Sequence, residues 1–446
     1  MATEVSVLDK DGDVNYYSTY AAARADIISS NRIHPLVQIW ADLDEQIILL
    51  DGVDIWIAPG VTISYSTGDT ITDDNVAANC NIFGYGYLTQ TSTDSYAVCN
   101  FTDPNSKISV KCDTIENESA GQACVSSSAK KFHLECNLVY GKSHGGVYLN
   151  NNNSDDININ AEKIITGQIG VPNTGTTALF TKGFGFIHIN EILCRNLGHC
   201  LTHRAGEITA IVRKSTSIMN TNAPISTVHL HQGVGDQKLI MYFDEISNFK
   251  GSGITNSLVG IEIHQGTGIF IGRKVIAENG AAALIGPGIH SPITPYNINL
   301  ICNELVSINT EALTLNGSLE SNFIKANIIC GNKSGDGGVV FSYADLSNTT
   351  SVIKNAKLIN KSSDTSAKGI GLFEMGSNKP HFTLWNLKIV SNNQSIFFNG
   401  SSIDIKNYGL FVKTSLNESI IHLKIGTGLI IPADYNYQYI VNSILT

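Results

Sequence analysis

Charge is scarce in this chain. Asp, Glu, Lys and Arg make up 15% of 446 residues, and 39 acidic against 29 basic side chains leave a formal net charge of −10. The basic residues are scattered, so no stripe of Lys and Arg tracks a phosphate backbone and nucleic acid has no electrostatic support as a partner. Long apolar runs are missing too: none approaches the roughly 18 residues of a membrane-spanning helix, so no membrane insertion is expected. The opening, Met1-Ala-Thr-Glu-Val5, lacks the basic and apolar regions of a signal peptide, which predicts a protein made in the cytoplasm and not exported by the general secretory route. Nine cysteines occur without one Cys-x-x-Cys pair, and no ligand set falls at metal-closing spacings. The expectation is therefore no metal and no cofactor.

What the chain does have is a repeat. In Ile298-Asn-Leu-Ile-Cys-Asn-Glu-Leu305, apolar residues stand at the first, third and eighth positions. The spacing recurs at Ile108/Val110/Ile115, Phe132/Leu134/Val139, Ile157/Ile159/Ile164, Leu239/Met241/Ile246, Ile269/Ile271/Ile276 and Phe382/Leu384/Ile389. Weaker copies include Ile187/Ile189, Ile208/Ala210, Asn322/Ile324/Ile329, Ser351/Ile353/Leu358 and Tyr408/Leu410. Copies roughly 21 to 31 residues apart lie in the range of solenoid repeats. Alternation marks a strand whose odd side chains point inward, and the eighth position is a second inward contact past a bend. Cys112, Cys136 and Cys302 take the fifth position, where a small apolar residue stacked inside the solenoid is the expected role. Second strand-like runs such as Gly146-Val-Tyr-Leu149 and Glu311-Ala-Leu-Thr-Leu315 fill the gaps, and Asn, Gly, Ser and Asp crowd the bends. The fold expected is all-β: a right-handed parallel β-helix, a single elongated solenoid over 61–425. The high Ile and Val content suits parallel strands.

Residues 1–60 read as an N-terminal cap. Tyr20 to Ile28 is alanine-rich and helix-favouring, and Val37 to Trp40, Gln46 to Leu50 and Val53 to Ile57 read as strands, with turn signals at Asp51-Gly52 and Pro59-Gly60. A solenoid must cover its open end, and the helix is placed to do so. Residues 426–446, with Tyr435-Asn-Tyr-Gln-Tyr439, break the pattern and read as a C-terminal cap or docking segment. A short helix, an apolar strand, and then Leu49-Leu-Asp-Gly-Val-Asp-Ile55 with Pro59-Gly60 resemble the opening of pectate-lyase-like right-handed β-helix proteins, especially bacteriophage tailspikes and tail fibres. The order and closeness of these motifs depart from the family pattern, which leaves the register of the first coil open. The resemblance implies a virion surface protein, a homotrimer held by other virion proteins, that recognises a bacterial surface polysaccharide or receptor. Two other classes stand beside it: a glycan depolymerase (hydrolase or lyase), and a purely structural fibre or decoration protein.

One local text carries chemistry. Val228-His-Leu-His-Gln-Gly233 and Ile261-Glu-Ile-His-Gln-Gly266 lie one coil apart. If Leu230 and Ile263 point inward, His229, His231, Glu262 and His264 point outward, with neighbours about 4.8 Å apart in a parallel stack. Glu262 is the candidate catalytic acid or base; His229, His231 and His264 are candidate contacts to a glycan or partner. An ordinary polar face is the alternative. Glycoside hydrolysis needs a second carboxylate about 5 to 10 Å away, and Glu207, Asp236, Asp244 and Glu245 are the possibilities. His203 and Arg204, one coil earlier, have an ambiguous register. Asp155-Asp156 sits in an Asn-rich bend, and Asp9-Lys-Asp-Gly-Asp13 lacks the distal Glu of a calcium loop, Tyr20 standing in its place, so both read as turns. Trp40, Trp56 and Trp385 could stack on sugars, but two of them fall in the cap, where packing is the commoner role.

Overall fold

The computed structural model describes residues 4–414 except 31, 33, 120, 143, 168–176, 197, 220–224, 232–236, 251–257, 287–295, 317–318, 345–348, 375–379, 392–395 and 400–403. The expected C-terminal segment 426–446 lies outside the described residues. Two compact units, Met1–Val212 and Arg213–Thr446, divide the chain. Each is built from stacked right-handed parallel β-coils, so the fold class is the parallel β-helix that the repeat implies.

In the first unit, each full coil gives a long strand to sheet A and a short one to sheet B. Sheet A stacks Lys107–Asn117, Lys131–Gly141, Asp156–Thr166 and Gly185–Asn196. Sheet B stacks Cys99–Phe101, Val125–Ser127, Val147–Leu149 and Leu179–Lys182. The repeat sets the register. Ile108, Phe132 and Ile157 form one inward ladder, Val110, Leu134, Ile159 and Ile187 a second, and Ile115, Val139, Ile164 and Ile192 a third, all buried. Asn117 closes a bend from inside, its side-chain amide donating to the carbonyls of Tyr96, Gln122 and Ala123. Buried polar groups at bends are thus paired.

The cap holds more than the sequence suggests. The helix spans Tyr20–Ser30 and buries Tyr20, Ala23 and Ile27. Glu45 accepts from the backbone N–H groups of Tyr20 (3.2 Å) and Ala21 (3.1 Å), a carboxylate at the positive end of the helix. Ahead of it, Val5–Leu8 and Val14–Tyr17 form an antiparallel hairpin, and Val5–Leu8 also pairs antiparallel with Leu36–Ile39. Leu36–Ile39 then pairs parallel with Asp54–Ile57, so parallel stacking begins inside the stretch expected to be cap alone. Gly52 (φ 73°) and Gly60 (φ 78°) turn in the left-handed region, as the Asp-Gly and Pro-Gly signals require.

The second unit repeats the plan. Its sheet A runs through Gln237–Lys250, Gly266–Ala277, Tyr296–Ser307 and Leu319–Gly331, and its sheet B through Ile225–Leu230, Leu258–Ile263, Ala283–Ile285 and Leu313–Asn316. One expectation fails here. Ile269, Ile271 and Ile276 are not the inward set of their coil: Gly268 falls opposite Leu239 and Ile298, Phe270 opposite Met241 and Leu300, and Val275 opposite Ile246 and Leu305. Phe270 and Val275 are fully buried, while the three isoleucines are only half-buried. The ring of Phe270 takes the space beside Gly268, where an added Cβ would lie 2.6 Å from its Cε2. Volume, rather than apolarity alone, selects the frame.

The cysteines stack as expected. All nine are free and buried, and Cys112 lies opposite Cys136 with the sulfurs 3.9 Å apart. Burial pushes the Cys80 and Cys302 thiols up to about 12 and Cys194 up to about 11. Thiolate is the reactive form. Titration with a colourless-to-yellow disulfide reagent at neutral pH should therefore modify almost no thiol in the native protein and all nine after denaturation. Rapid labelling of several thiols in folded protein would contradict this packing.

Candidate functional site

The paired His/Glu text folds as neighbouring strands of sheet B in the second unit. His229 stands opposite Glu262 and Leu230 opposite Ile263, and the His264 N–H donates to the Leu230 carbonyl at 3.0 Å. Leu230 and Ile263 are buried inward, so alternation places His229 and Glu262 on the other face. His264 Nε2 lies 2.8 Å from Glu262 Oε1, and His264 Nδ1 lies 3.4 Å from His229 Nε2. The His231 ring is 4.6 Å from that of His229 and 6.2 Å from that of His264, centroid to centroid. All four residues therefore converge.

Their face is not the open surface that alternation suggests. His229 is only 5% exposed, and the Glu262 and His264 side chains are 20% and 19% exposed. A polysaccharide lying on the surface would meet Glu262, His231 and His264, with His229 behind them. A carboxylate accepting from His264 Nε2–H leaves Nδ1 as a lone pair aimed at His229, a tautomer inferred from this geometry. This arrangement orients imidazoles but, among the described residues, supplies no second carboxylate. Asp244 and Glu245 belong to sheet A, where Arg273 sits 3.5 Å from Glu245. Asp236 lies outside the described residues, and Glu207 is in the first unit.

The remaining candidates whose side chains are described have structural partners. His203 is buried at a bulge, where Lys182 pairs with Ala205 instead of the next residue, and its ring nitrogens meet Thr181 Oγ1 (3.0 Å) and the Gly206 carbonyl (3.1 Å). The Arg204 guanidinium lies over the Phe180 ring at 5.4 Å. Asp155 and Asp156 face Lys130 and Lys131 at 3.5 and 3.4 Å, which supply the charge a calcium ion would otherwise bring. Asp9 to Asp13 is the hairpin turn, with Asp9 paired to Arg32. Trp40 and Trp56 pack edge to face at 4.8 Å in the cap, and Trp385 lies in the strand Pro380–Ser391.

The outer face of sheet A in the first unit holds a groove that the sequence did not single out. It has a volume of about 620 Å³ and adjoins a smaller hollow of about 180 Å³ that shares Lys111, Glu135 and Asn160 with it. Two outward rows line it across successive coils. Asn81, Ser109, His133, Asn158 and Phe186 stand in one register; Lys111, Glu135, Asn160 and His188 stand in the other. Phe83 adds a second aromatic face, and Lys111 pairs with Glu135 at 2.7 Å. Glu162 and Asn190, hydrogen-bonded to each other, line the smaller hollow. Beside His133, burial alone would raise the Asp156 carboxyl, but His133 (3.1 Å) and Lys131 hold it below its usual range. The residues of one row lie roughly 25 positions apart in sequence and follow no apolar pattern, so the groove they line shows only once the coils are stacked.

No helix among the described residues is long and apolar enough to cross a membrane. Comparison with protein-family models, with curated proteins and with solved structures gives no match.

Proposed function

We propose that the chain recognises a carbohydrate along the outer face of sheet A in its first unit, as a tail-fibre or tailspike-like protein of a virion surface. The groove carries the glycan part of this reading. Its rows offer amides, imidazoles, a carboxylate and an ammonium to hydroxyls, with Phe83 and Phe186 as apolar faces, at the coil spacing of about 4.8 Å. An overall charge of −10 favours a neutral or cationic glycan over a polyanion. The virion setting, the bacterial receptor and the homotrimer rest on the resemblance of the N-terminal segment alone.

A second reading, a glycan depolymerase, draws on Glu135 and Glu162, two carboxylates in the adjoining hollow. One experiment separates the readings. Purified protein is incubated with surface polysaccharides from a broad panel of bacteria, with binding followed by calorimetry and release of oligosaccharides by mass spectrometry. Recognition predicts binding without release, weakened about tenfold (~1.4 kcal/mol) or more in Phe186→Ala and in His188→Ala. Release that disappears in Glu135→Gln would establish a depolymerase, hydrolase or lyase, in the groove, and release that disappears only in Glu262→Gln would move the acid to the histidine cluster. No binding by folded protein across the panel would leave a structural virion component.

A further inference from the structure

We infer that His229 and His264 form the core of a divalent-cation site in sheet B of the second unit, with His231 as a third imidazole and Glu262 as the carboxylate that orients His264. The site is independent of the glycan reading. Three observations support it.

The first is a distance. His229 Nε2 and His264 Nδ1 face each other at 3.4 Å. Hydrogen bonds donated by N–H are usually about 2.7–3.2 Å long. Two nitrogens on a tetrahedral ion, each about 2.0–2.1 Å from it, stand roughly 3.3–3.4 Å apart. As a hydrogen bond the contact is long, and the same spacing suits two nitrogens holding one cation.

The second is the partner behind the ring. Metal-bound histidines commonly donate their far N–H to a carboxylate, which fixes the tautomer and raises the basicity of the ligating nitrogen. Glu262 Oε1, 2.8 Å from His264 Nε2, does this from the side away from His229. One ligand atom from each of His229, Glu262 and His264 lies within 4.8 Å of the others, and the His231 ring stacks edge-on to His229 at 4.6 Å.

The third is the surroundings. His229 is 5% exposed, so its ring is held by packing and does not pay for immobilisation when an ion binds. Imidazole donors select zinc, cobalt, nickel or copper over magnesium and calcium.

The sequence expectation of no metal rested on spacing along the chain. His229 and His264 are 35 residues apart, and the coil, not the local sequence, joins them.

The test uses the full chain, stripped with chelator and titrated with zinc by calorimetry, and with cobalt by visible absorption. One zinc per chain with a micromolar or tighter Kd, and the intense spectrum of four-coordinate cobalt, are expected. His264→Ala should weaken binding at least about a hundredfold and Glu262→Gln about 10- to 100-fold, while His34→Ala leaves it unchanged. Circular dichroism of the stripped variants checks their fold; should His264→Ala not fold, Glu262→Gln and His231→Ala decide. Failure of folded wild-type protein to bind zinc or cobalt overturns the inference. So does binding that is unchanged in every folded cluster variant, which would place the ion on other histidines.

Discussion

Phe270→Ala is expected to destabilise the second unit by about 3–5 kcal/mol, the range for emptying a buried phenylalanine site. Phe270 is fully buried between Met241 and Leu300 in the coil stack, and its ring spreads over Gly268. Rigid backbone ladders above and below leave little freedom to collapse into the cavity. The glycine supplies a sharper check. An alanine Cβ at 268 would meet the ring at 2.6 Å and Ile298 Cδ1 at 3.3 Å, so Gly268→Ala alone should cost about 1–3 kcal/mol through overpacking. With Phe270→Ala already present, the added methyl enters empty space, and Gly268→Ala should become neutral or stabilising. Denaturant titrations of the four proteins give the coupling directly. Additive losses would mean that Phe270 does not fill the space over Gly268, and would restore the frame in which Ile269 and Ile271 point inward.

Acid should remove about 3 kcal/mol from the first unit through His203 alone. The ring is completely buried, its two nitrogens are used by the Thr181 hydroxyl and the Gly206 carbonyl, and burial depresses its pKa from 6.5 to about 4. Between these values the unfolded chain binds a proton that the folded chain refuses. Stability from this source is therefore complete above pH 6.5 and is lost as pH falls towards 4, where the folded protein also takes the proton. A shift of this size corresponds to roughly 3 kcal/mol, at about 1.4 kcal/mol per unit. His144, also depressed by burial, adds to the slope with the same sign. The check compares wild type with His203→Gln by urea unfolding at pH 7 and pH 4. The variant should be less stable at pH 7, with the difference shrinking by about 3 kcal/mol at pH 4. An equal difference at both pH values would mean that His203 is not buried in its neutral form.

Much of the architecture was legible in the sequence because a stacked coil leaves a periodic trace. Ile108, Phe132 and Ile157 recur at the same position because each must fill the same volume in the coil above, and the cysteines recur where the space is small. The lateral neighbours His229 and Glu262 were legible too, since equal text one coil apart fixes the register. Other features left no such trace. In the coil at Gly268 to Val275 two frames are almost equally apolar, and only the fit of the Phe270 ring over a glycine chooses between them. The hairpin Val5–Leu8 and Val14–Tyr17 is too short to show a period. The groove residues Asn81, Lys111, His133, Glu135 and His188 face outward; the repeat aligns several of them coil by coil, but no pattern of outward residues marks where the surface hollows into a groove.

The sequence by itself determined the parallel β-helix, its inward ladders in most coils and its unpaired, buried cysteines, because burial of apolar side chains at a fixed period is a local demand on the chain. Only the tertiary structure decided which frame the Phe270 coil adopts, that His229 is covered while Glu262 and His264 remain partly open, and that outward residues of successive coils form a groove. Those depend on distances across the stack between residues some 25 to 35 positions apart, which the order of residues along the chain does not contain.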